Sequence, residues 1–448
     1  MGDDERARRL LSDLSIALRK DPLIDEFGFI FCPEPVCNKS PIVLEQHKLG
    51  IETWSIKILY LFVHQQLLKV KPISPDSRFL NDCSQAAVLL NAECYTAWNI
   101  RKRLVLKKAI GAEADLKLAT LVLTKHPKSA ETFAQRSRLL QHIFPDIKPS
   151  HSSHEAAAST NQHYFPHNNQ YHPSPPPNGL DRRVQVQQNG AAGNLERIID
   201  GELKACTIAA DRYPNNYNAW SHRIWVLKHL ARGGSQVVKS EWVSSKEWVR
   251  CHISDHSGFH YRQFLMQTLR ECTGGTLIPN EKENGSYAMG LVEEELQFTA
   301  NLISFYPGHE AIWYHRRFVI HFWRTFLTGK PNATTISTEP LSHDDITVLE
   351  DISVPDTTGA AATSSWQDNR SAGRCEDAQM ETDQVPTKPS FLSSPEHLRT
   401  GKSVDEDLAA ITTSEIQFAI AVNACTPHGD VEAQRRCVEG YKRWLKSQ

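Results

Sequence analysis

Tyr213-Pro214-Asn215-Asn216-Tyr217-Asn218-Ala219-Trp220-Ser221-His222-Arg223 is the stretch on which the fold turns. Proline cannot continue a helix, and an Asn just past it can cap the next one. The phrase therefore reads as one helix ending, a short turn, and a second helix beginning. Upstream, Leu203, Cys206, Ala210 and Tyr213 recur at i, i+3, i+7 and i+10, which puts an apolar stripe on the first helix. Downstream, Val226 and Leu227 follow Trp220 by six and seven residues and give the second helix its own apolar face.

The same pattern recurs. Trp98 with Arg101, Phe133 with Arg136, Trp220 with Arg223, Phe259 with Arg262 and Trp313 with Arg316 each place an Arg three residues after a large aromatic. Leu104 and Val105, Leu139 and Leu140, Leu265 and Met266, and Val319 and Ile320 repeat the apolar pair. Pro127, Pro214 and Pro307 each precede their aromatic by six, and Leu296, Ala300 and Ile303 repeat the upstream stripe. Trp98 and Phe133 are 35 residues apart, and Trp220 and Phe259 are 39 apart. Longer intervals accommodate insertions, including a short Gly-rich one from Thr273 to Ser286. In a last, degenerate copy Pro427, Ala433 and Arg436 keep the spacing without the aromatic.

A two-helix unit cannot cover its own apolar faces, whereas stacked units can, so the sequence predicts an all-α helical solenoid. The aromatics are expected in the core as wedges between layers. The arginines can either bridge helices by ion pairing and capping or face a partner. Tetratricopeptide-type repeats have a similar length, but they do not require an aromatic-x-x-Arg phrase.

The hydrophobic fraction of 40% is slightly low for a fully packed chain. Two stretches account for it. Residues 145–194 are rich in Pro, His, Asn and Gln, and residues 328–405 in Ser, Thr, Pro and acids. Both are expected to be disordered, because they cannot bury enough surface to offset ordering entropy. His151, His154, His163, His167 and His172 fall in the first and lack the fixed spacing a metal site needs. The resulting division is a helical cap region at 1–79, repeats one and two at 80–144, and repeats three to five at 195–327. A degenerate repeat occupies 406–448. Residues 44–68, with Trp54, Leu59, Phe62 and Leu67, are expected to form one or two helices, either a cap or an extra repeat.

A net charge of −2 argues against a protein held on nucleic acid by bulk electrostatics. No apolar run approaches the ~20 residues of a membrane span. The charged start Met1-Gly2-Asp3-Asp4-Glu5-Arg6 has no signal core, and neither end carries a lipidation signal. Ten cysteines without a CxxC pair fit reduced thiols, so a cytoplasmic location is expected.

The phrase around Trp220 resembles the repeat of protein prenyltransferase alpha subunits, roughly Asn-Tyr-x-x-Trp-x-x-Arg. Asn91 to Trp98 and Tyr306 to Arg317 look like further copies. The resemblance implies a right-handed crescent of helical hairpins that wraps a beta subunit and leaves this chain non-catalytic. The beta subunit would hold the zinc and most of the lipid pocket, with no cofactor on this chain and an isoprenyl diphosphate as co-substrate. It further implies that Lys128, five residues before Phe133, faces the leaving diphosphate as an auxiliary catalytic group. Tyr217 matches a second position near the lipid diphosphate. Two residues depart from the family: Ala130 stands where Tyr is usual, and Glu131 where members that read a C-terminal carboxylate carry Gln. An acid there repels a carboxylate. Together with Pro127-Lys128-Ser129 this points to the Rab-type alpha subunit and to geranylgeranyl transfer with a Rab-type beta partner. Two rival readings are a helical-repeat scaffold without transferase activity and a chaperone for prenylated trafficking proteins.

Overall fold

The computed structural model describes residues 3–35, 40–70, 76–145, 181–272, 282–328, 404–426 and 431–447. The histidine-rich residues 151–172, Pro427, and most of the stretches 145–194 and 328–405 lie outside them. The chain divides into two units, Met1–Thr276 and Leu277–Gln448.

In the first unit four helical hairpins follow one another. They pair α3 (Ser77–Leu90) with α4 (Tyr95–Leu106), α5 (Ala112–Lys125) with α6 (Ala130–Ile143), α7 (Asp181–Arg212) with α8 (Tyr217–His229), and α9 (Ser235–Cys251) with α10 (His256–Cys272). First helices pack on first helices (α3 on α5 on α7) and second helices on second helices (α4 on α6 on α8 on α10), giving the two layers of a helical-repeat solenoid. The second unit pairs α11 (Lys282–Phe305) with α12 (Glu310–Thr328), and α13 (Val404–Cys425) with α14 (Val431–Lys446); α12 packs on both α13 and α14.

Local chemistry sets the helix starts. Asp76, Ser129, Asn216 and Asp255 each accept a backbone N–H three residues on, from Phe79, Thr132, Ala219 and Gly258, which satisfies a donor the helix leaves open. The five aromatics and the ten apolar residues six and seven positions beyond them are all buried. Three of these aromatics also meet a ring of the next hairpin. Phe133 lies 5.3 Å from His222, Trp220 5.0 Å from Tyr261 and Trp313 5.1 Å from Tyr441.

The N-terminal region departs from the sequence reading. Ahead of α3 stand α1 (Asp3–Lys20), a three-stranded sheet and α2 (Thr53–Leu68). The strands are β1 (Glu26–Ile30), β2 (Ile42–Glu45) and β3 (Lys48–Glu52), in order β1-β3-β2, with β1 parallel and β2 antiparallel to β3. Residues 44–52, expected to be helical, are therefore mostly strand. Burial at Leu49 and Ile51 with Lys48, Gly50 and Glu52 between them has a period of two, not 3.6. Gln46 and His47 both take positive φ, the two-residue turn that matches strand twist. A Cβ at Gly50 would collide with the Ile30 side chain on the neighbouring strand. Phe27, Leu49 and Ile51 face one core shared with α1 through α5. A second difference is at α7, which begins at Asp181 and so makes residues 181–194 helical where disorder was expected.

Candidate functional site

Arginine cannot lose its charge inside a protein, so a buried one must be ringed by acceptors. All five signature arginines are buried, none more than 8% exposed. One arm of each reaches back within its own hairpin. Arg136 Nη1 donates to Leu116 O and Thr120 Oγ1 at 3.2 and 2.7 Å, and Arg223 Nη1 to Leu203 O and Thr207 Oγ1, both at 2.7 Å. Arg262 uses Trp242 O and Ser245 Oγ, and Arg316 uses Leu296 O and Thr299 Oγ1. Arg101 uses the side chains of Asn81 and Ser84 at the same offsets, 20 and 17 residues upstream.

In Arg101, Arg136, Arg223 and Arg316 the rest of the guanidinium reaches into the next hairpin. Arg136 grips Glu202 with both Nε and Nη2 at 2.9 and 2.7 Å, Arg223 grips Glu241 at 2.6 and 3.0 Å, and Arg316 grips Glu415 at 2.8 and 2.9 Å. Arg101 Nε meets Asp115 at 2.5 Å. The same acids take a second donor from their own hairpin: Gln135 to Asp115, His222 to Glu202 and Tyr261 to Glu241. Tyr441 does this for Glu415, and His315 lies 2.7 Å from Glu295. Burial alone would raise the Glu202 carboxyl, but Arg136 and His222 outweigh it and lower its pKa to about 2. Burial pushes His222 below its ordinary value against the pull of Glu202.

These groups are staples between neighbouring hairpins. Ser137 Oγ lies 3.1 Å from His222 Nδ1, and His222 Nε2 lies 2.9 Å from Glu202, which imitates a nucleophile–base–acid series. Gln135 with Asp115 and Tyr261 with Glu241 fill the same repeat positions, and the Glu202 carboxylate is already held by Arg136. The series is the staple motif, not a catalytic one. In the degenerate copy Arg436 is exposed, and Gln434 is the buried residue beside Gly308 and Trp313.

Lys128 and Tyr217 lie elsewhere, on the edge formed by the turns between first and second helices. Asn216 Nδ2 donates to Pro127 O at 2.7 Å and Asn218 Nδ2 to Lys128 O at 3.0 Å, so the turn before α8 is bonded to the turn before α6. Asn215 N donates to Asp255 Oδ2 at 2.6 Å, tying in the turn before α10. Lys128 is exposed, and its Nζ lies 4.9 Å from the centre of the Tyr213 ring. Among the described residues no carboxylate pairs with it. Tyr217, the first residue of α8, is half-buried. Ala130 and Glu131 open α6 beside them, and one Glu131 oxygen is buried without a hydrogen-bond partner among the described residues. The N-terminal sheet docks on this edge. Phe27 N donates to Thr124 Oγ1 at 2.9 Å, Lys125 Nζ lies 4.8 Å from the Phe29 ring centre, and Arg212 pairs with Glu26 at 3.0 Å. The edge thus presents an unpaired cation beside half-exposed aromatics, an arrangement able to meet an anion.

The sequence reading missed the staple acids, the hydroxyls and Tyr213. Asp115, Glu202, Glu241 and Glu415, like Glu295 beside His315, each stand 21 residues before an Arg of the pattern, so the signal lay upstream on the companion helix. Among the described residues no three His, Cys, Asp or Glu side chains form a metal-binding group, and no helix is long and apolar enough to cross a membrane.

Known proteins resemble this chain in sequence. The model of the protein prenyltransferase alpha subunit repeat matches residues 199–230, 238–269 and 292–323, which fall on α7–α8, α9–α10 and α11–α12. A Danio rerio protein prenyltransferase alpha subunit repeat-containing protein 1 is 34% identical over 368 residues, 78% of this chain and 80% of that protein. A Xenopus laevis form, 1-B, is 32% identical over 466 aligned positions, 98% of this chain and 96% of that protein. A shorter match, 29% identical over 84 residues, covers 19% of this chain and 26% of the geranylgeranyl transferase type-2 subunit alpha of Saccharomyces cerevisiae. With its stapled hairpins in register with that repeat and nearly its full length shared with such relatives, the chain belongs to the protein prenyltransferase alpha subunit repeat family.

Proposed function

We propose that this chain is the non-catalytic alpha subunit of a heterodimeric protein prenyltransferase that transfers geranylgeranyl to cysteines near the C-termini of trafficking-type proteins in the cytoplasm. The observation that carries the reading is the exposed Lys128 ammonium, without a carboxylate partner among the described residues, on a turn bonded to the turn that bears Tyr217. In the transfer, a bond forms between the substrate cysteine sulfur and C1 of the isoprenyl diphosphate, the C1–oxygen bond breaks, and diphosphate leaves. A cation aimed at that leaving group offsets the charge growing on it. The substrate cysteine would supply the thiolate, kept deprotonated by a zinc ion expected on the beta subunit.

We read a Rab-type beta partner from Pro127-Lys128-Ser129 and Glu131, and geranylgeranyl transfer is in keeping with the similarity of one segment to the yeast geranylgeranyl transferase type-2 subunit alpha. Glu131 adds negative charge where a substrate carboxylate would otherwise dock. The test is to co-express the chain with Rab-type and other beta subunits and measure transfer to cysteine-bearing proteins. Lys128→Ala is expected to lower the rate by roughly tenfold or more in an intact heterodimer. A rate within twofold of wild type removes the diphosphate role of Lys128, and failure to bind any beta subunit removes the reading. Ala130 and Glu131 favour one second reading, a scaffold without transferase activity, which predicts a stable complex that transfers nothing.

A further inference from the structure

A lysine on a protein surface has four rotatable bonds, and an unpaired ammonium normally samples many positions. Lys128 is held at both ends. Its carbonyl accepts from Asn218 Nδ2 at 3.0 Å, and the preceding Pro127 carbonyl accepts from Asn216 Nδ2 at 2.7 Å. Its Nζ lies 4.9 Å from the centre of the Tyr213 ring, inside the range in which a ring face attracts a cation. All three contacts come from the single turn Tyr213 to Asn218. Tyr213 is itself constrained, because a following proline disfavours the helical conformation, and Pro214 follows it. Tyr213 is 41% exposed, so its ring is not spent as core. The two neighbouring cations are engaged otherwise: Lys125 lies over Phe29, and Arg212 pairs with Glu26.

We propose that Tyr213 is a positioning residue for Lys128, holding the ammonium in place with its ring so that the cation is already oriented when the isoprenyl diphosphate binds. This inference rests on the diphosphate reading of Lys128. A π face suits the task better than a carboxylate, since it fixes a cation without neutralising it, and the charge stays available to an incoming anion.

Two measurements test it on the full chain. The first is kcat/KM for geranylgeranyl diphosphate in the complex with the beta subunit. Tyr213→Leu is expected to lower it roughly two- to fivefold, the range of an exposed cation–ring contact, while Tyr213→Phe keeps the wild-type value. The Leu effect should vanish in the Lys128→Ala background, since the ring acts only through the ammonium. Equal losses in both backgrounds, or a Phe variant as poor as Leu, overturn the proposal. The second measurement does not need transfer. After reductive methylation with 13C-formaldehyde, the Lys128 methyl resonance, assigned by its loss in Lys128→Arg, should lie upfield through the ring current and move back in Tyr213→Leu. A resonance unaffected by Tyr213→Leu overturns the positioning role. A shifted resonance combined with an innocuous Lys128→Ala sinks the diphosphate reading instead, while leaving the ring–ammonium contact standing.

Discussion

At the scale of single residues, the staple pairs set the stability of the hairpin junctions. Glu202 is buried and bonded to Arg136 and His222, so Glu202→Gln strands a guanidinium in the core. Breaking one side of such a pair costs about 3–5 kcal/mol, which the urea midpoint would report. The pH response follows from the same geometry. The Glu202 carboxyl titrates at about 2 in the folded chain against an ordinary 4.5. Its contribution is therefore fully present above about 4.5 and lost as the pH falls towards 2. His222 is also held below its ordinary value, so protonation penalises the folded state on the same acid side. Stability should fall steeply between pH 5 and 3, and Glu202→Gln should flatten that slope, as unfolding curves at stepped pH would show.

At the scale of elements, the turns are as informative as the helices. Asn216 caps α8 through Ala219 N and also donates to Pro127 O and Ala209 O. Asn216→Ala thus removes a cap and two cross-turn bonds together, for an expected loss of about 2–3 kcal/mol in thermal or chemical unfolding. Asn218→Ala, at a half-buried position and with one cross-turn bond to lose, should cost less than about 1 kcal/mol. This scale also separates what the sequence made legible from what it did not. The helices of the repeats were readable because Leu139, Leu140, Val226 and Leu227 recur at helical spacing and proline marks three of the five turns. The sheet was not. Leu44 to Leu68 contains a run of apolar residues that suits a helix equally well, and the two-residue period at Leu49 and Ile51 is only one strand long. The staple acids were hidden for a different reason. An ion pair that links hairpins brings together residues such as Arg136 and Glu202, 66 apart, which no local pattern connects.

At the scale of the whole molecule, family membership and the cation on the turn edge lead to a statement about assembly. With a Rab-type beta subunit the chain should form a one-to-one complex, measurable by light scattering. Its midpoint of thermal unfolding should rise with beta-subunit concentration, because a partner that binds only the folded chain stabilises it by mass action. The site was legible in part at this scale. Lys128 and Tyr217 could be located only by aligning repeats, whereas Tyr213 emerged from the distance between its ring and the ammonium. A tyrosine before a proline had read simply as the last member of an apolar stripe.

The carboxylate partners of Arg101, Arg136, Arg223 and Arg316 are each supplied by the hairpin that comes after, and this gives the chain a direction. On the ribosome, Arg136 emerges long before Glu202 is translated. Until then the second hairpin carries a guanidinium with no anion to settle against, and it can close only when α7 has left the exit tunnel. Nascent chains halted just ahead of residue 202 should therefore be open to protease around α6, and those halted beyond α8 should be resistant.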